Sequence, residues 1–226
     1  MRAEMRTLMT LMIGILIFVG LPLLAWGLGE TAGFMDHPAR LGYVLLVVLL
    51  QLYVVIKIPG VGGNRGGEKG TATHQRITLL LLQLVPLAIA VTAPYSDHRA
   101  IGVFAESAVV RFAGLGLFAI GFIGMHWAEA FLDKQFSVEV AIQTGHQLVT
   151  SGPYRHLRHP RYLGIVIFTA GIALIFRSWL ALILVAVLTL VLIFRIRDEE
   201  VMMHQAFGSE WETYAGRTWR LIPFVH

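Results

Sequence analysis

The sequence predicts an all-α, polytopic membrane protein with about six transmembrane helices. Hydrophobic residues make up 56% of the 226 residues and charged residues only 14%, and the mean hydropathy is +0.70. Soluble domains contain about 25% charged residues. Apolar runs of roughly 20 residues recur along the chain, and a helix of that length crosses the hydrocarbon core of a bilayer. These observations exclude a soluble globular domain.

Residues 1–104 are predicted to form three N-terminal transmembrane helices. The first runs from about Leu8 to Leu28; its basic start resembles a signal peptide, but without a clear cleavage site we expect a retained helix. The second runs from about Leu41 to Ile58. The third runs from about Arg76 to Ala93, and Pro86 is expected to kink it.

Residues 105–226 are predicted to form the core that carries the functional site. A fourth helix covers about Ser107 to Phe131, and it contains glycines that would let neighbouring helices approach closely. Two shorter apolar segments, Tyr162–Phe176 and Trp179–Phe194, are expected to form a helical hairpin. From Arg195 onward the chain becomes polar, which predicts a C-terminal helix that leaves the membrane for the cytosol.

The distribution of lysine and arginine predicts the orientation. Fourteen of the 18 basic residues lie at the N-terminus, in or beside the loops around residues 57–76 and 134–161, and after Phe194. Only four would lie on the other side: Arg40, Arg99, Arg111 and Arg177. The positive-inside rule then places both termini and the functional site on the cytosolic face, in our interpretation of a bacterial inner membrane. Such residues are expected to meet membrane lipids, not nucleic acid.

Two polar clusters interrupt this apolar chain, at residues 144–164 and 198–217. Pro160 suits the first position of a helix and disfavours helix at the preceding residue, so His159 is expected at the mouth of the fifth helix. Unpaired backbone N–H groups at such a position can bind an anion. A belt of Tyr, His and Arg anchors at the headgroups is the structural alternative. No spacing of histidines indicates a metal site.

Both clusters contain recognisable motifs. The first reads Leu148-Val149-Thr-x-Gly152-Pro-Tyr154, then Arg158-His159-Pro-x-Tyr162-x-x-Gly164. The second reads Glu199-Glu200-x-x-Met203-x-x-x-Phe207-Gly208-x-x-Trp211-x-x-Tyr214, then Arg217 and Pro223. Together they resemble the signature of isoprenylcysteine carboxyl methyltransferases and their phospholipid methyltransferase relatives, over about residues 105–226. Leu is usual in that family at Met203, and Tyr at Trp211.

The resemblance implies an S-adenosylmethionine-dependent methyltransferase with a lipophilic acceptor, which would be a prenylcysteine-like carboxylate, a phospholipid amine or a thiol. It implies a cofactor pocket formed by His146, Leu148, Val149, Gly152, Tyr154, His159, Tyr162, Glu199 and Glu200. Catalytic roles fall to Arg158, Glu200 and Arg217. The two glutamates suit the sulfonium and ammonium groups of the cofactor, and rings suit its purine.

Several alternatives remain open from the sequence. Arg158 and Arg217 would bind an acceptor carboxylate or a headgroup phosphate. Alternatively, they would only help to set the orientation of the protein in the membrane. The glutamates would otherwise be acids favoured at the start of a helix. Membrane sterol reductases have a similar motif and bind NADPH, although two carboxylates would repel its phosphates. A non-catalytic membrane scaffold with the same fold is the third possibility.

Overall fold

The computed structural model describes residues 2–57, 73–132 and 148–224. These ranges contain no β-strand, and the predicted all-α class is confirmed for them. The α-helices in chain order are α1 (Arg2–Ile15), α2 (Leu21–Trp26), α3 (Thr31–Met35), α4 (Pro38–Lys57), α5 (Thr73–Arg99), α6 (Ala108–Leu132), α7 (Pro160–Ile175), α8 (Trp179–Phe207) and α9 (Ser209–Gly216).

Three of the described helices are long and apolar enough to cross a membrane: Arg76–Arg99, Ala108–Leu132 and Trp179–Phe207. The bent pair Leu11–Trp26 and Leu28–Met35 raises the number to four if it counts as one span. Two shorter apolar helices, Pro38–Val54 and Pro160–Ile175, would be the remaining two of the six crossings that the sequence predicts. The number six stays a prediction.

The first helix is not the single span that the sequence predicts. A π-helical stretch at Leu16–Gly20 interrupts it, and the chain bends by 90° at Gly27, where φ is +125°. Pro22 has no N–H to donate to the carbonyl four residues earlier, that of Phe18. The hydroxyl of Tyr43 in α4 donates to this carbonyl at 2.6 Å. A side chain of the neighbouring helix thereby provides the hydrogen bond that the Phe18 carbonyl would otherwise lack because of Pro22.

The third predicted helix extends further than expected. The sequence predicts an end at Ala93 and a polar loop from Pro94, but α5 continues through this proline to Arg99. The residues beyond it are not a solvated loop, because Ser96 and Asp97 are buried. Proline is tolerated inside membrane helices when neighbouring groups compensate for it.

An ion-pair network, which we call the Asp97 cluster, lies at this end of α5. The side chain of Asp97 is 1% exposed, and arginine nitrogens from α4 (Arg40), α6 (Arg111) and the α7–α8 turn (Arg177) lie within 3.1 Å of its carboxylate. Glu106 accepts from Nε of Arg111 at 2.7 Å. The cluster joins α4, α5 and α6 to the α7–α8 turn at one end of the bundle. Its two carboxylates pair with three of the four basic residues that the sequence assigns to this side.

Helices α6 and α7 pack backbone to backbone. Gly114 lies against Gly171, and Gly121 lies against Gly164. A Cβ atom placed on any of these four glycines would lie within 2.8 Å of backbone atoms of the opposite helix. Close approach is therefore confirmed for two of the glycines predicted in the fourth helix, and the other two face open space.

Helix α8 starts immediately after a three-residue turn. The Ser178 hydroxyl caps it by accepting from the N–H of Ala181 at 3.0 Å. The helix continues past the last predicted apolar residue, Phe194, to Phe207. Residues 199 and 200 of α8 lie beside His159 at the start of α7.

Candidate functional site

Two local features shape the approach to α7. Gly152 has a φ of +58°, and a Cβ atom there would lie 2.4 Å from the ring of Phe131. Only glycine fits this turn, which leads into the 3₁₀ segment Gly152–Arg155. Helix α7 then begins at Pro160 with His159 as its non-helical N-cap residue, as predicted.

The segment before α7 pairs with the segment after α9. The N–H of Arg158 donates to the carbonyl of Trp219 at 2.8 Å, and the N–H of His159 donates to that of Arg220 at 3.1 Å. The N–H of Trp219 donates to the carbonyl of His156 at 3.0 Å. These bonds hold the C-terminal segment beside the first motif.

Glu200 lies at the centre of the side chains that this pairing assembles. It accepts from Nε of Arg158 at 2.8 Å and lies 2.7 Å from Nη2 of Arg220. Arg158 is buried, and its Nη1 also donates to the carbonyls of Ala215 and Thr218, each at 2.6 Å. Arg158 therefore connects α8 to the end of α9 through charge-assisted bonds.

Glu199 faces a different set of partners. It accepts from Nε of Arg195 at 2.9 Å and from the hydroxyl of Tyr162. Nδ1 of His159 lies 3.5 Å from its other oxygen, and the rings of His159 and Tyr162 are parallel with centroids 5.7 Å apart. This packing orients the imidazole between the two carboxylates.

Burial and charge act in opposite directions on His159. Burial lowers the pKa of this ring, but the adjacent Glu199 and Glu200 outweigh it, so the pKa is raised. Its Nε2 lies 3.4 Å from Glu200 without forming a hydrogen bond, and it is buried. Nε of Arg220 is also buried, and neither nitrogen has a hydrogen-bond partner within the described part of the chain.

Tyr154 and Tyr214 support the site. The Tyr214 hydroxyl donates to the carbonyl of Tyr154 at 2.9 Å. Burial raises the pKa of Tyr214 to about 12 and also raises the pKa of Tyr154. Both phenols therefore stay protonated, and their contacts join α9 to the first motif.

A cleft of about 580 Å³ opens beside Glu200. Its walls contain an indole ring, two guanidinium groups, two carboxylates and an imidazole. The lining residues are Arg158, Glu200, His204, Trp211, Glu212, Ala215, Gly216 and Arg220. Of the predicted site residues that the structure describes, Arg158 and Glu200 are the two that line this cleft.

The other predicted site residues are placed as follows. His159, Tyr162 and Glu199 lie together next to the cleft. Leu148 and Val149 are half-buried in a segment without regular secondary structure. His146 lies outside the described residues. Gly152 and Tyr154 shape the turn that precedes α7.

Arg217 and Arg220 differ from what the motif indicates. Arg217 is exposed at the end of α9, and its side chain has no hydrogen bond or ion pair with a described residue. Arg220, three residues later, pairs with Glu200 instead. The sequence also missed Arg195, which holds Glu199. No motif in the sequence distinguishes these two arginines from the others near the membrane surface.

S-adenosylmethionine has a purine, a carboxylate and two cationic centres, and the cleft suits each of them. Trp211 presents an aromatic ring for the purine, Arg158 and Arg220 present donors for a carboxylate, and Glu200 is the acid for a cation. Glu200 already pairs with both arginines. The cofactor would therefore share these partners, and the residues present fit it.

Comparison with known proteins agrees with the resemblance. Residues 114–205 match the sequence model of the isoprenylcysteine carboxyl methyltransferase (ICMT) family. A rice (Oryza sativa subsp. indica) probable protein-S-isoprenylcysteine O-methyltransferase is 32% identical over 122 residues, covering 51% of this chain and 62% of the relative. The Arabidopsis thaliana protein-S-isoprenylcysteine O-methyltransferase B is 30% identical over 116 residues, covering 50% and 59%. Each match thus spans less than two thirds of the relative.

The fold has a counterpart among solved structures. The eukaryotic intramembrane Ras methyltransferase ICMT superposes with a TM-score of 0.56 at 18% identity, covering 94% of this chain and 77% of that one. At this identity the likeness shows a shared fold. The predicted resemblance to the isoprenylcysteine carboxyl methyltransferase family is thus confirmed, by the sequence match over residues 114–205 and by an ICMT-like membrane fold.

Proposed function

We propose that this protein is an integral membrane methyltransferase that uses S-adenosylmethionine and methylates a lipophilic acceptor. The observation that carries the proposal is the convergence of Arg158 and His159 with Glu199 and Glu200 beside one cleft. Each of these four residues also contacts a further partner that holds it in place. The convergence falls inside the segment 114–205 that matches the ICMT family.

The bound cofactor would supply an electrophilic methyl group on a sulfonium. Trp211 would stack on the purine, Glu200 would meet a cationic group, and Arg158 and Arg220 would meet the carboxylate. Methyl transfer needs the acceptor atom in line with the methyl carbon and little water nearby. The contribution of this chain is therefore positioning, and His159 and Tyr162, which contact Glu199 beside the cleft, would hold the two carboxylates in place.

The acceptor would enter from the bilayer, with the site on the cytosolic face of a bacterial inner membrane. Helix α7 is short and apolar and starts at the site, so a lipophilic chain can lie along it while its reactive end reaches the cleft. Because the relatives are named protein-S-isoprenylcysteine O-methyltransferases, a prenylcysteine carboxylate is the first acceptor to assay. Residues 105–226 would then be the catalytic core, and residues 1–104 its membrane support.

An NADPH-dependent reductase and a non-catalytic scaffold are the competing functions. From the sequence, the two glutamates would repel the phosphates of NADPH. In the fold this repulsion is weaker, because Arg158 and Arg220 pair with Glu200 and Arg195 pairs with Glu199. What favours methyl transfer is the family match. Direct binding measurements separate the three functions.

The test is calorimetry of the purified protein with S-adenosylmethionine and with NADPH. Glu200→Gln keeps the shape of the side chain but removes its charge, and we expect it to weaken S-adenosylmethionine binding by roughly 2–3 kcal/mol, as for a hydrogen bond to a charged group. Glu210→Gln, an exposed acid of α9 outside the cleft, is the matched control and should bind as the wild type does. Tight NADPH binding, or wild-type affinity in Glu200→Gln, contradicts the proposal.

A further inference from the structure

The cleft contains a second acid, Glu212, from the first turn of α9. In the described part of the chain, two of the lining residues have carboxylates: Glu200 on α8 and Glu212. The cofactor proposed above also has two cationic centres, an ammonium group and a sulfonium. The motifs of the sequence include Glu200 but not Glu212. Glu212 is therefore a charged lining residue whose role is still to be assigned.

The two acids differ in how firmly they are held. The side chain of Glu200 is 12% exposed, and each of its oxygens lies within 2.8 Å of an arginine nitrogen, from Arg158 or Arg220. The side chain of Glu212 is 64% exposed, and it lies 2.8 Å from Nε2 of His204, which is itself 55% exposed. Exposed pairs of this kind contribute little, because water competes for both groups. A cationic ligand in the cleft can therefore replace His204 as the partner of Glu212.

The spacing of the two acids suits the spacing of the two cations. His204 follows Glu200 by four residues on α8, which is about 6 Å along a helix axis. Because Glu212 contacts His204, its carboxylate lies at the level of the next helical turn. In S-adenosylmethionine, four single bonds separate the ammonium nitrogen from the sulfur, a reach of about 5 Å. One ligand can thus present a cation to each acid.

The neighbours of each acid decide which cation it suits. Arg158 and Arg220, which suit the cofactor carboxylate, flank Glu200. The ammonium group is on the same carbon as that carboxylate, so it falls to Glu200. Glu212 directly follows Trp211, whose ring suits the purine. The sulfonium connects the amino acid to the nucleoside, and it therefore falls to Glu212.

We propose that Glu212 forms a sulfonium subsite in the cleft and thereby distinguishes the methyl donor from its product. This inference rests on the proposed methyltransferase function and adds a specificity residue to its site. In methyl transfer, the acceptor atom forms a bond to the methyl carbon, and the bond from that carbon to the sulfonium sulfur breaks. Its electron pair stays on the sulfur, which becomes a neutral thioether. Glu212 then loses its cationic partner and can return to His204.

The loss of charge during the reaction gives this role a kinetic signature. Only interactions that are stronger in the transition state than in the ground state raise kcat. The sulfonium loses its charge as the methyl group leaves, so a carboxylate beside it favours the ground state. Removing the charge of Glu212 should therefore raise the KM for S-adenosylmethionine without lowering kcat. Removing a catalytic acid or base would lower kcat instead.

The test is calorimetry of Glu212→Gln with three ligands. S-adenosylmethionine has the sulfonium charge, S-adenosylhomocysteine lacks it, and sinefungin has an ammonium-bearing carbon in its place. We expect the variant to bind S-adenosylmethionine and sinefungin about fivefold more weakly, the upper end for an exposed ion pair. It should bind S-adenosylhomocysteine as the wild type does, which also shows that the variant is folded.

Glu210→Gln is the matched control. It removes the same charge from the same turn of α9, but Glu210 does not line the cleft. All three affinities should stay at their wild-type values. An equal loss of S-adenosylmethionine affinity in both variants would show a long-range effect of charge and would overturn the subsite.

Steady-state kinetics with N-acetyl-S-farnesylcysteine as the acceptor supply a second readout. In Glu212→Gln, the KM for S-adenosylmethionine should rise about fivefold while kcat does not fall. The product should also inhibit this variant more strongly relative to the methyl donor, because only the affinity for the donor has declined. A fall in kcat with an unchanged KM would overturn the proposed role.

The ligand series separates the possible partners of Glu212. A parallel loss of S-adenosylhomocysteine affinity would place Glu212 beside a group that both ligands share, such as the ribose hydroxyls, and would overturn the inference. Wild-type affinity of Glu212→Gln for all three ligands would overturn it as well. Failure of the wild type to bind S-adenosylmethionine would instead overturn the proposed function.

Discussion

Glu106 illustrates how a single ion pair ties stability to pH. Its side chain is 53% exposed, yet it accepts from both Nε and Nη2 of Arg111, at 2.7 and 2.8 Å. The hydrogen bond from Arg111 lowers the pKa of Glu106 from 4.5 to about 2. Arg111 itself is buried and also binds Asp97. The carboxylate at the surface therefore completes the bonding of a guanidinium in the interior.

We expect the ion pair of Glu106 to stabilise the fold fully above about pH 4.5 and to lose this effect at lower pH. A group whose pKa is lower in the folded state contributes fully above its unfolded pKa, here 4.5, and the contribution is lost as pH falls towards about 2. The wild type should therefore melt at a higher temperature than Glu106→Gln at pH 6, and the difference should shrink below about pH 4.5. Thermal unfolding in detergent across this range measures it.

Glu210→Gln is the control, because Glu210 is exposed on α9 and has no hydrogen bond or ion pair in the described part of the chain. Its melting temperature should follow the wild type at every pH. If Glu106→Gln also follows the wild type at pH 6, the ion pair with Arg111 contributes nothing to stability. Salt should reduce the effect, since Glu106 is partly solvated.

At the scale of helices, the contact of α6 with α7 holds the site in place. Gly121 and Gly164 let the two backbones touch close to the start of α7, where His159 and Tyr162 are placed. Without a hydrophobic force between helices in lipid, small residues and close packing drive association. Displacing α7 would move both motif residues relative to Glu199 on α8.

We expect Gly121→Ala to destabilise the bundle by roughly 1–3 kcal/mol, the range for overpacking a well-packed interface. The new Cβ would lie 2.4 Å from the backbone nitrogen of Phe168, and backbone cannot give way as a flexible side chain can. Thermal unfolding and S-adenosylmethionine affinity should both decline.

Gly124→Ala is the internal control on the same helix. A Cβ there meets nothing within 4 Å, so the substitution should be neutral or slightly stabilising, since alanine favours helix. Equal behaviour of the two variants would mean that close backbone packing at Gly121 does not limit stability.

At the scale of the whole molecule, charge separates the two ends of the bundle. At one end, Arg40, Arg111 and Arg177 are held by the Asp97 cluster, which leaves Arg99 as the exposed basic residue among the four on that side. At the other end lie both motifs and the cleft. Carboxylates also pair with Arg158, Arg195 and Arg220 at that end, so ion pairs reduce the free positive charge at both ends and the predicted orientation rests on the sequence count.

We expect both termini and the cleft on the cytosolic side. Reporter fusions at Arg99 and after Arg177 should show a periplasmic location, and a fusion after Gly66 should show a cytosolic one. The reason is that basic loops stay on the cytosolic side. A soluble domain at each position can be probed with an impermeant reagent in intact cells. The opposite pattern would contradict a cytosolic cofactor site.

Much of the architecture follows from local signals. Hydrophobic run length predicts the helices, because a span must be about 20 residues long to cross the hydrocarbon core. Pro160 predicts the start of α7, since proline suits the first turn of a helix. The two motifs predict where the site lies, because the family resemblance rests on their residues. The bend of the first helix and the extension of α5 were missed, since both depend on neighbouring helices.

The sequence by itself determined the all-α membrane class, the approximate helices, the family resemblance and the two segments that build the site. Only the tertiary structure decided which charged groups meet. Asp97 binds arginines that are 57, 14 and 80 positions away, and Glu200 meets Arg220 while Arg217 stays exposed. A helix brings residues three or four apart together from local geometry alone. Partners on different helices depend on how each helix is rotated and packed, and no local pattern encodes that rotation.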